Sequence, residues 1–395
     1  MELRDAVIVD AVRTPIGKRG GQLATWHPTD LLAHVLTALV ERNGLDAERV
    51  DDVIGGCVTQ SGEQGCNVTR NAWVAAGLPQ SVPATTVDRQ CGSSQQAAHF
   101  AAQGVMAGAY DLVVACGVES MTRSPMASNA KGGTGPFSPS FMAAIDQQLK
   151  AQFEVAQKIA DDWKITREDM DDFAIESHRR AAAATDSGAF AREIVPVPLR
   201  DESGAATGET MTADEGIRRA NDPAKLAALP SANTWKPDLA PDITAANSSQ
   251  MSDGAAAMLI ASRETAEALG LTPRAAFRHF AVAGDSAVWV LTAPNPATRK
   301  LLARSGLRVE DFDAIEVNEA FASISLAWAR EFLPDLARLN PRGGAIALGH
   351  PLGASGVRLM TTLLHHLEDT GGRLGFQTMC EGGGQANATV IERLG

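Results

Sequence analysis

Two cysteines in this sequence have neighbours that suit a reactive thiol, and the first is Cys91. It is followed by Gly-Ser-Ser and an alanine-rich stretch, which predicts a position at the start of a helix. Free N–H groups and the helix dipole at that position favour a thiolate, the nucleophilic form of cysteine. A single cysteine of this kind can equally be a buried structural residue. The glycine beside it, which lets a substrate approach the backbone, favours the nucleophile.

The second is Cys380, which opens the run Cys-Glu-Gly-Gly-Gly-Gln directly after a predicted strand, Leu374–Met379. The ends of parallel strands are where α/β proteins place their sites. The N–H groups of three successive glycines could hold a developing oxyanion. A simple turn is the alternative interpretation of the same glycines.

Three further polar residues stand in loops typical of sites. His350 lies between Gly349 and Pro351 in a glycine-rich loop before a predicted helix, which suits a fixed catalytic imidazole. Asn318 and Glu319 follow a predicted strand. Asn318 could position a water, and Glu319 could accept a hydrogen bond from a histidine. Capping of the next helix explains Asn318 equally well.

The segments around these motifs alternate between strand-like and helix-like patterns. Such alternation predicts the α/β class, with parallel sheets covered by helices on both faces. The predicted strands are Ala6–Val12, Val53–Val58, Leu112–Cys116, Ala256–Ile260, Ala314–Val317 and Leu374–Met379. The predicted helices are Asp30–Arg42, Gln95–Ala107, Phe153–Ala184, Pro296–Ser305, Phe321–Leu333 and Gly353–Thr370.

An internal repeat indicates two matching halves. The stretch Val50–Ile54 resembles Val309–Ile315, and each precedes a short strand. Cys91 and Cys116 bracket a helix and a strand, and Ser355 and Cys380 bracket similar elements at the same spacing. A middle region rich in Gly, Ser and Pro interrupts the pattern. We therefore predict an N-terminal half (1–120 with 252–272), an inserted loop domain (121–251) and a C-terminal half (273–395).

Composition excludes several other classes. The 395 residues carry a formal net charge of −12, which argues against a nucleic-acid surface. Five cysteines, an odd number without a CxxC pair, form neither a disulfide framework nor a zinc site, so we expect no metal. No apolar run is long enough to cross a membrane, and charges interrupt the N-terminus before a signal peptide could form. We expect a cytoplasmic protein.

Taken together, the four motifs resemble the thiolase family over nearly the whole chain. That family has an active cysteine followed by Gly-Ser, then Asn-Glu-Ala-Phe, then Gly-His-Pro-x-Gly-x-Ser-Gly, then Cys-x-Gly-Gly-Gly, and all four occur here in that order. The resemblance implies a thiolase fold. In that fold two similar βαβ-type halves form a five-layer αβαβα core with an inserted loop domain.

The resemblance also implies a division of roles. Cys91 would be the nucleophile that holds the acyl group, with a thiol pKa lowered from about 8.5, and His350 would be its base. Cys380 would remove or return the alpha proton of acetyl-CoA. The N–H groups of Cys91 and Gly382 would hold the acyl oxyanion. His350 and a water fixed by Asn318 would hold the enolate oxygen, with Glu319 supporting them from behind.

For the co-substrate CoA, the family uses an arginine near the adenine and a serine near the pantetheine. Arg218 and Ser249 match them here, although Ala246 stands where the family usually has glycine. The resemblance implies CoA thioesters as ligands, with no metal and no redox cofactor. It further implies a homo-oligomer, a dimer of dimers whose tetramer loop is Ser124–Ser140.

The kind of thiolase is indicated by departures from the short-chain pattern. Ala151-Gln152 stands where short-chain acetoacetyl-CoA thiolases have His-Met, and the loop Gly284–Pro294 also differs. Ile54–Gln60 and Gln152–Glu154 resemble actinobacterial thiolases of steroid side-chain degradation. We predict a degradative 3-ketoacyl-CoA thiolase for long or bulky acyl chains of fatty-acid or steroid side-chain β-oxidation. A short-chain acetyl-CoA acetyltransferase is the alternative.

Other classes fit less well. A decarboxylating ketoacyl synthase uses one cysteine with two histidines, or with a histidine and an asparagine, so Cys380 argues against it. An inactive lipid-binding relative would lack a catalytic residue, and none is missing. A dinucleotide-binding dehydrogenase needs GxGxxG after its first strand, and residues 13–21 do not supply it.

Overall fold

The computed structural model describes residues 4–395, so the first three residues of the predicted N-terminal half lie outside the described part. Within it the chain forms twelve strands: β1 (Ala6–Arg13), β2 (Gly17–Lys18), β3 (Asp52–Gly56), β4 (Ala84–Val87), β5 (Leu112–Ser120), β6 (Val197–Arg200), β7 (Ala206–Met211), β8 (Ser252–Ser262), β9 (Ala275–Gly284), β10 (Ala314–Val317), β11 (Leu374–Glu381) and β12 (Gln385–Arg393). The twelve α-helices of the described part are α1 (Pro28–Arg42), α2 (Val68–Ala75), α3 (Ser93–Met106), α4 (Pro139–Ala144), α5 (Gln152–Asp162), α6 (Arg167–Asp186), α7 (Pro223–Ala227), α8 (Arg263–Ala268), α9 (Pro294–Ser305), α10 (Ala322–Phe332), α11 (Ala345–Leu348) and α12 (Ser355–Thr370). Short 3-10 helices lie at Ala47–Arg49, Gly62–Gln64, Ser128–Ala130, Pro237–Leu239 and Val309–Asp311.

One ten-stranded sheet runs through the molecule in the order β10-β11-β12-β9-β1-β8-β5-β3-β4, with β2 beside β8. Its two halves join where β1 pairs with β9, through Val7 with Ala276 and Ile8 with Ala275. The α/β class is confirmed, but the prediction of parallel sheets is wrong in part. Strands β3, β4 and β5 are parallel, as are β10 and β11, whereas β8, β9 and β12 pair antiparallel. The three-residue turn between β11 and β12 is too short for a parallel crossover.

Helices cover the two halves in layers. α1 and α2 pack on the outer face of the N-terminal half, and α9 and α10 pack on that of the C-terminal half. Between the halves lie α3 and α12, packed on each other and on strands of both. Small residues make this close contact possible. A Cβ on Gly356 of α12 would lie only 2.1 Å from the backbone nitrogen of Gln95 in α3.

The internal repeat is visible in matching hydrogen bonds. A 3-10 helix precedes β3 in the first half and β10 in the second. Asp51 Oδ2 accepts two backbone N–H groups where β5 begins, at 2.6 and 3.0 Å. Asp313 Oδ2 accepts two where β11 begins, at 2.7 and 3.0 Å. The same aspartate therefore fixes the start of the same strand in each half.

The prediction of one helix over Phe153–Ala184 is wrong. The chain forms α5 and α6 instead, because Lys164 takes a left-handed φ of 56° that a helix cannot continue through. Thr166 then begins α6 with a capping box, in which it and Asp169 each accept the other's backbone N–H.

Two cysteines lie inside strands rather than at their ends. Cys116 was predicted to close its strand, but β5 continues to Ser120, where it still pairs with β8. Cys380 was predicted to follow its strand, but β11 continues through it to Glu381, which pairs with Gln385 of β12. Antiparallel partners extend both strands beyond the apolar run.

The segment between β5 and β8 carries α4 to α7 and the two-stranded sheet of β6 and β7. It coincides with the predicted loop domain, whose bounds stay a prediction, as do those of the two halves. Within residues 4–395, no helix combines the length and apolarity needed to cross a membrane.

Candidate active site

A cavity of about 590 Å³ brings together three residues that lie far apart in the sequence. Cys91 reaches it from the turn before α3, His350 from the loop between α11 and α12, and Cys380 from β11. The first residue comes from the N-terminal half and the other two from the C-terminal half. The site therefore exists only when the two halves are joined.

The turn before α3 is held in a sparsely populated conformation. Gln90 has a left-handed φ of 50°, which is costly for a residue with a side chain. Asp88 Oδ1 stabilises it by accepting the Gln90 backbone N–H at 2.7 Å and the side-chain N–H at 3.2 Å. The turn directs Cys91 into the cavity just before Gly92, which caps α3.

The thiol of Cys91 is neutral in the resting site. Burial, followed by the carboxyl of Glu381, raises its pKa to about 12. Hydrogen bonds from the backbone N–H groups of Cys91 and Gly382 oppose that rise. The expected lowering of this pKa is therefore wrong for the free protein, because burial outweighs the helix terminus. A base must take the proton when the cysteine reacts.

His350, which lines the same cavity as Cys91, is a residue that can act as such a base. Its Nδ1 lies 2.6 Å from Ser355 Oγ, which donates its own proton to the carbonyl of Pro351 at 2.8 Å. Ser355 must then accept from the imidazole, so the proton sits on Nδ1 and the lone pair is on Nε2. Burial and the nearby Arg358 lower the pKa of His350 to about 3 and keep the ring neutral.

Asn318 contacts the free nitrogen of that ring. Its Nδ2 lies 3.4 Å from His350 Nε2, and its Oδ1 is buried without a hydrogen-bond partner in the described part of the chain. Glu319 points elsewhere, so the expected bond from a histidine is wrong. Its carboxylate accepts from Ser177 Oγ at 2.7 Å, from Asn340 Nδ2 at 2.8 Å and from a backbone N–H of α11 at 3.2 Å. It thereby fixes the segment that leads to His350.

Cys380 is fully buried and faces the same cavity as Cys91. Burial raises its pKa well above the usual value, and the neighbouring Cys91 and Glu381 add to the rise. The following Gly382 directs its N–H at the sulfur of Cys91. Both predicted oxyanion donors, the N–H groups of Cys91 and Gly382, therefore lie beside the Cys91 sulfur.

The two residues matched to CoA contacts also line the cavity. Arg218 and Ser249 both border it, and Arg218 also borders a second cavity of about 370 Å³, together with Lys225. The backbone N–H of Arg218 donates to His178 Nδ1 at 3.1 Å. This cationic end suits an anionic ligand segment.

Glu119 supports the site from outside the four sequence motifs. This fully buried carboxylate accepts the N–H groups of Val58, Thr59 and Gly353 and the side-chain N–H of Gln64, all between 2.8 and 3.0 Å. It ties the loop after β3 to the loop that follows His350. A charged residue inside the apolar run of β5 was the available signal, since buried charges require partners.

Among residues 4–395, no group of three or more His, Cys, Asp or Glu side chains is placed to hold a metal ion. The polar groups of the cavity are instead thiols, an imidazole, an amide and backbone N–H groups. Such a set can form a thioester, move protons and hold oxyanions.

Comparisons with known proteins agree with this chemistry. Residues 6–264 match the family described as "Thiolase, N-terminal domain", and residues 271–393 match "Thiolase, C-terminal domain". The chain is 45% identical, over 99% of its length and 95% of the relative's, to the steroid 3-ketoacyl-CoA thiolase FadA6 of Mycobacterium tuberculosis. It is 43% identical, over 99% of its length and all of the relative's, to a beta-ketoadipyl-CoA thiolase of Pseudomonas putida. The crystal structure of the Bacillus anthracis acetyl-CoA acetyltransferase superposes with a TM-score of 0.88 at 34% identity, covering both chains completely.

Proposed function

The chain belongs to the thiolase family, and we propose that it is a degradative 3-ketoacyl-CoA thiolase, which transfers an acyl group to CoA and releases acetyl-CoA. The predictions of family, fold and acyltransferase activity are confirmed by the family matches and the relatives. The observation that carries the proposed mechanism is the meeting of Cys91, His350 and Cys380 in one cavity.

In the first half-reaction, His350 Nε2 takes the thiol proton of Cys91 while the sulfur attacks the 3-keto carbon of the substrate. The bond between carbons 2 and 3 breaks, and its electron pair leaves as the enolate of acetyl-CoA. Cys380 gives its proton to carbon 2 of that enolate. Acetyl-CoA departs and the shortened acyl group remains on Cys91 as a thioester.

In the second half-reaction, the thiol of CoA gives its proton to the Cys380 thiolate and attacks the thioester. The bond between the acyl carbon and the Cys91 sulfur breaks, and His350 returns its proton to that sulfur, which restores the thiol of Cys91. The N–H groups of Cys91 and Gly382 stabilise the oxyanion in both half-reactions. His350, with a water held by Asn318, stabilises the enolate oxygen. Because the resting thiol of Cys91 is neutral, its deprotonation accompanies the attack.

The acyl end of the cavity supports a neutral, apolar chain. Arg218 is the one cation among the residues that line the cavity, and we place it at the CoA end. A terminal carboxylate on the acyl chain, as in the substrate named for the beta-ketoadipyl relatives, would be desolvated without a partner. The apolar lining residues include Met121, Met126, Phe153, Leu291, Phe321 and Leu352. We therefore propose a long or bulky acyl group, of the fatty-acid or steroid side-chain kind.

Thiolysis assays with a substrate panel test this function. We expect kcat/KM for long-chain or steroid-side-chain 3-ketoacyl-CoA to exceed that for 3-oxoadipyl-CoA and acetoacetyl-CoA. A preference for acetoacetyl-CoA would establish the short-chain alternative, and a preference for 3-oxoadipyl-CoA would refute the apolar pocket. Absence of thiolysis with every substrate would favour an inactive lipid-binding relative.

We extend the proposal to ligands and assembly. CoA contacts Arg218 and Ser249, and the reaction needs no cofactor besides CoA.

The protein forms a homotetramer through the loop Ser124–Ser140, where Phe137 is 44% exposed and stacks on Phe141 with ring centres 5.0 Å apart. Light scattering tests the assembly, and a monomer near 41.5 kDa would refute it. A cytoplasmic location fits the need for free thiols at both cysteines.

A further inference from the structure

Glu381 is a buried carboxyl for which the mechanism has no use. It follows Cys380 in β11, and because side chains alternate along a strand, it points away from the cavity that Cys380 faces. The residue is fully buried, and neither carboxyl oxygen has a hydrogen-bond partner within residues 4–395. Glu119, buried to the same degree, accepts four hydrogen bonds. An unpartnered buried carboxylate is far more costly than an unpartnered carboxylic acid.

The carboxyl of Glu381 occupies the space that a side chain at residue 92 would need. A Cβ on Gly92 would lie 1.9 Å from Glu381 Oε1. The carboxyl therefore rests against the Cα of the residue that follows Cys91. One acidic group is thus adjacent in the chain to Cys380 and adjacent in space to the turn that carries Cys91.

Few charged groups face Glu381 from the elements packed around it. From the turn before α3 come Arg89, which favours the ionised form, and Cys91. From β12 comes the backbone N–H of Asn387, which forms no hydrogen bond with the carboxyl but whose dipole favours the ionised form. Its own strand contributes Cys380. Burial outweighs these groups and raises the pKa of Glu381 to about 8.

Two polar side chains of the neighbouring elements form hydrogen bonds elsewhere. Arg89 donates from Nη1 to Gln385 Oε1 at 2.5 Å, and not to Glu381. His99, the titratable residue of α3, contacts Thr389 Oγ1 at 2.6 Å and the Asn387 side chain at 3.1 Å. Its pKa is lowered to about 3 by burial, so it brings no positive charge.

We propose that Glu381 is a positioning residue that must be a neutral carboxylic acid during turnover, and that loss of its proton disables both cysteines. The inference rests on the proposed roles of Cys91 and Cys380. Each half-reaction develops negative charge on one of those two sulfurs or beside it. An ionised carboxylate next to Gly92 opposes that charge, whereas the neutral acid does not. Glu381 thereby sets an alkaline limit on the activity.

Alkylation of Cys91 by iodoacetamide tests the proposal without requiring turnover. The rate is followed by peptide mass over a range of pH in the wild-type protein and in Glu381→Gln, which has the same shape and cannot ionise. We expect the two proteins to be alkylated at equal rates near about pH 6, where the side chain at position 381 is neutral in both. Near about pH 9.5 we expect the variant to be alkylated about tenfold faster than wild type. The exposed Cys66 in the same samples reports general changes in reactivity.

Two variants complete the design. Glu381→Asp keeps an ionisable carboxyl, so its rate ratio to wild type should stay near one at alkaline pH. Glu264→Gln makes the same chemical change at an exposed position and should match wild type throughout. A ratio for Glu381→Gln that does not change with pH would overturn the proposal, as would Glu381→Asp behaving like Glu381→Gln. Because alkylation needs no acyl substrate, failure here is distinct from failure of the thiolase function.

Discussion

His350 and Ser355 form a hydrogen-bonded pair, with Nδ1 and Oγ 2.6 Å apart, that decides which imidazole nitrogen can act as a base. Ser355 donates its proton to a backbone carbonyl at 2.8 Å, so it can only accept from the ring. The free electron pair of His350 then lies on Nε2, the nitrogen nearest Asn318. A serine at the first position of α12 thus controls the chemistry of the loop before it.

Ser355→Ala should remove that control. The imidazole would then sample both tautomers, and we expect kcat for thiolysis to fall about ten- to a hundredfold with little change in KM. Ser305→Ala, at the end of α9, is the matched control. A kcat equal to wild type would mean that another group orients the ring.

Glu119→Gln should destabilise the protein. The amide replaces one acceptor oxygen by an NH2 group that faces N–H donors, leaving buried groups unpaired. We expect the free energy of unfolding to fall by about 1 to 3 kcal/mol in chemical denaturation. Glu264→Gln controls for the loss of charge. Equal denaturation midpoints would contradict the role assigned to Glu119.

Stability should fall as the pH rises, partly through Glu381. Burial raises its pKa in the folded protein to about 8, above the ordinary value of 4.5. The contribution of Glu381 to the free energy of unfolding is therefore fully present below about pH 4.5, where the carboxyl is protonated in both states. It is lost as the pH rises towards about 8. Glu381→Gln should escape this loss and gain up to about 5 kcal/mol on wild type across that range. A constant difference in unfolding free energy would show that Glu381 is already ionised.

Cys91→Ala should abolish thiolysis and acetylation by acetyl-CoA together, since no other thiol has the two backbone N–H donors that its sulfur receives. Intact-protein mass after incubation with acetyl-CoA measures the acetylation. Cys66→Ala, at an exposed cysteine, should remain fully acetylated. An acyl adduct that persists on Cys91→Ala would assign the nucleophile elsewhere.

The sequence predicted the elements that carry strong apolar patterns and clear end signals. The predicted bounds of β10 agree with the structure at both ends. The motifs of Cys91, His350 and Cys380 each include a junction between elements, and the three junctions meet at the cavity. Strands β9 and β12 were not predicted, because charged and polar residues interrupt them. The two strands form because they pair with each other, and their sequence patterns do not reveal that pairing.

The sequence patterns could not predict pKa values or hydrogen-bond partners that depend on burial. A helix start favours a thiolate at Cys91, but the depth of the site and the carboxyl of Glu381 reverse the direction of its pKa. One of the three hydrogen-bond donors to Glu319 is Ser177, which comes from the inserted segment and shares no motif with it. Long-range contacts of this kind depend on the packing of the two halves.

Cys91 and Cys380 have separate roles in the proposed mechanism, and the variant Cys380→Ser separates those roles in one protein. A serine hydroxyl ionises far less readily than a thiol, so it is a poor base for an alpha proton. Two signals are measured on the same variant: acylation of Cys91 by mass, and exchange of the alpha protons of acetyl-CoA in deuterated water. We predict that acylation persists while exchange and turnover are largely lost. Near-normal exchange and turnover in Cys380→Ser would show that Cys380 is not the acid and base, and would leave Cys91 as the sole reactive cysteine.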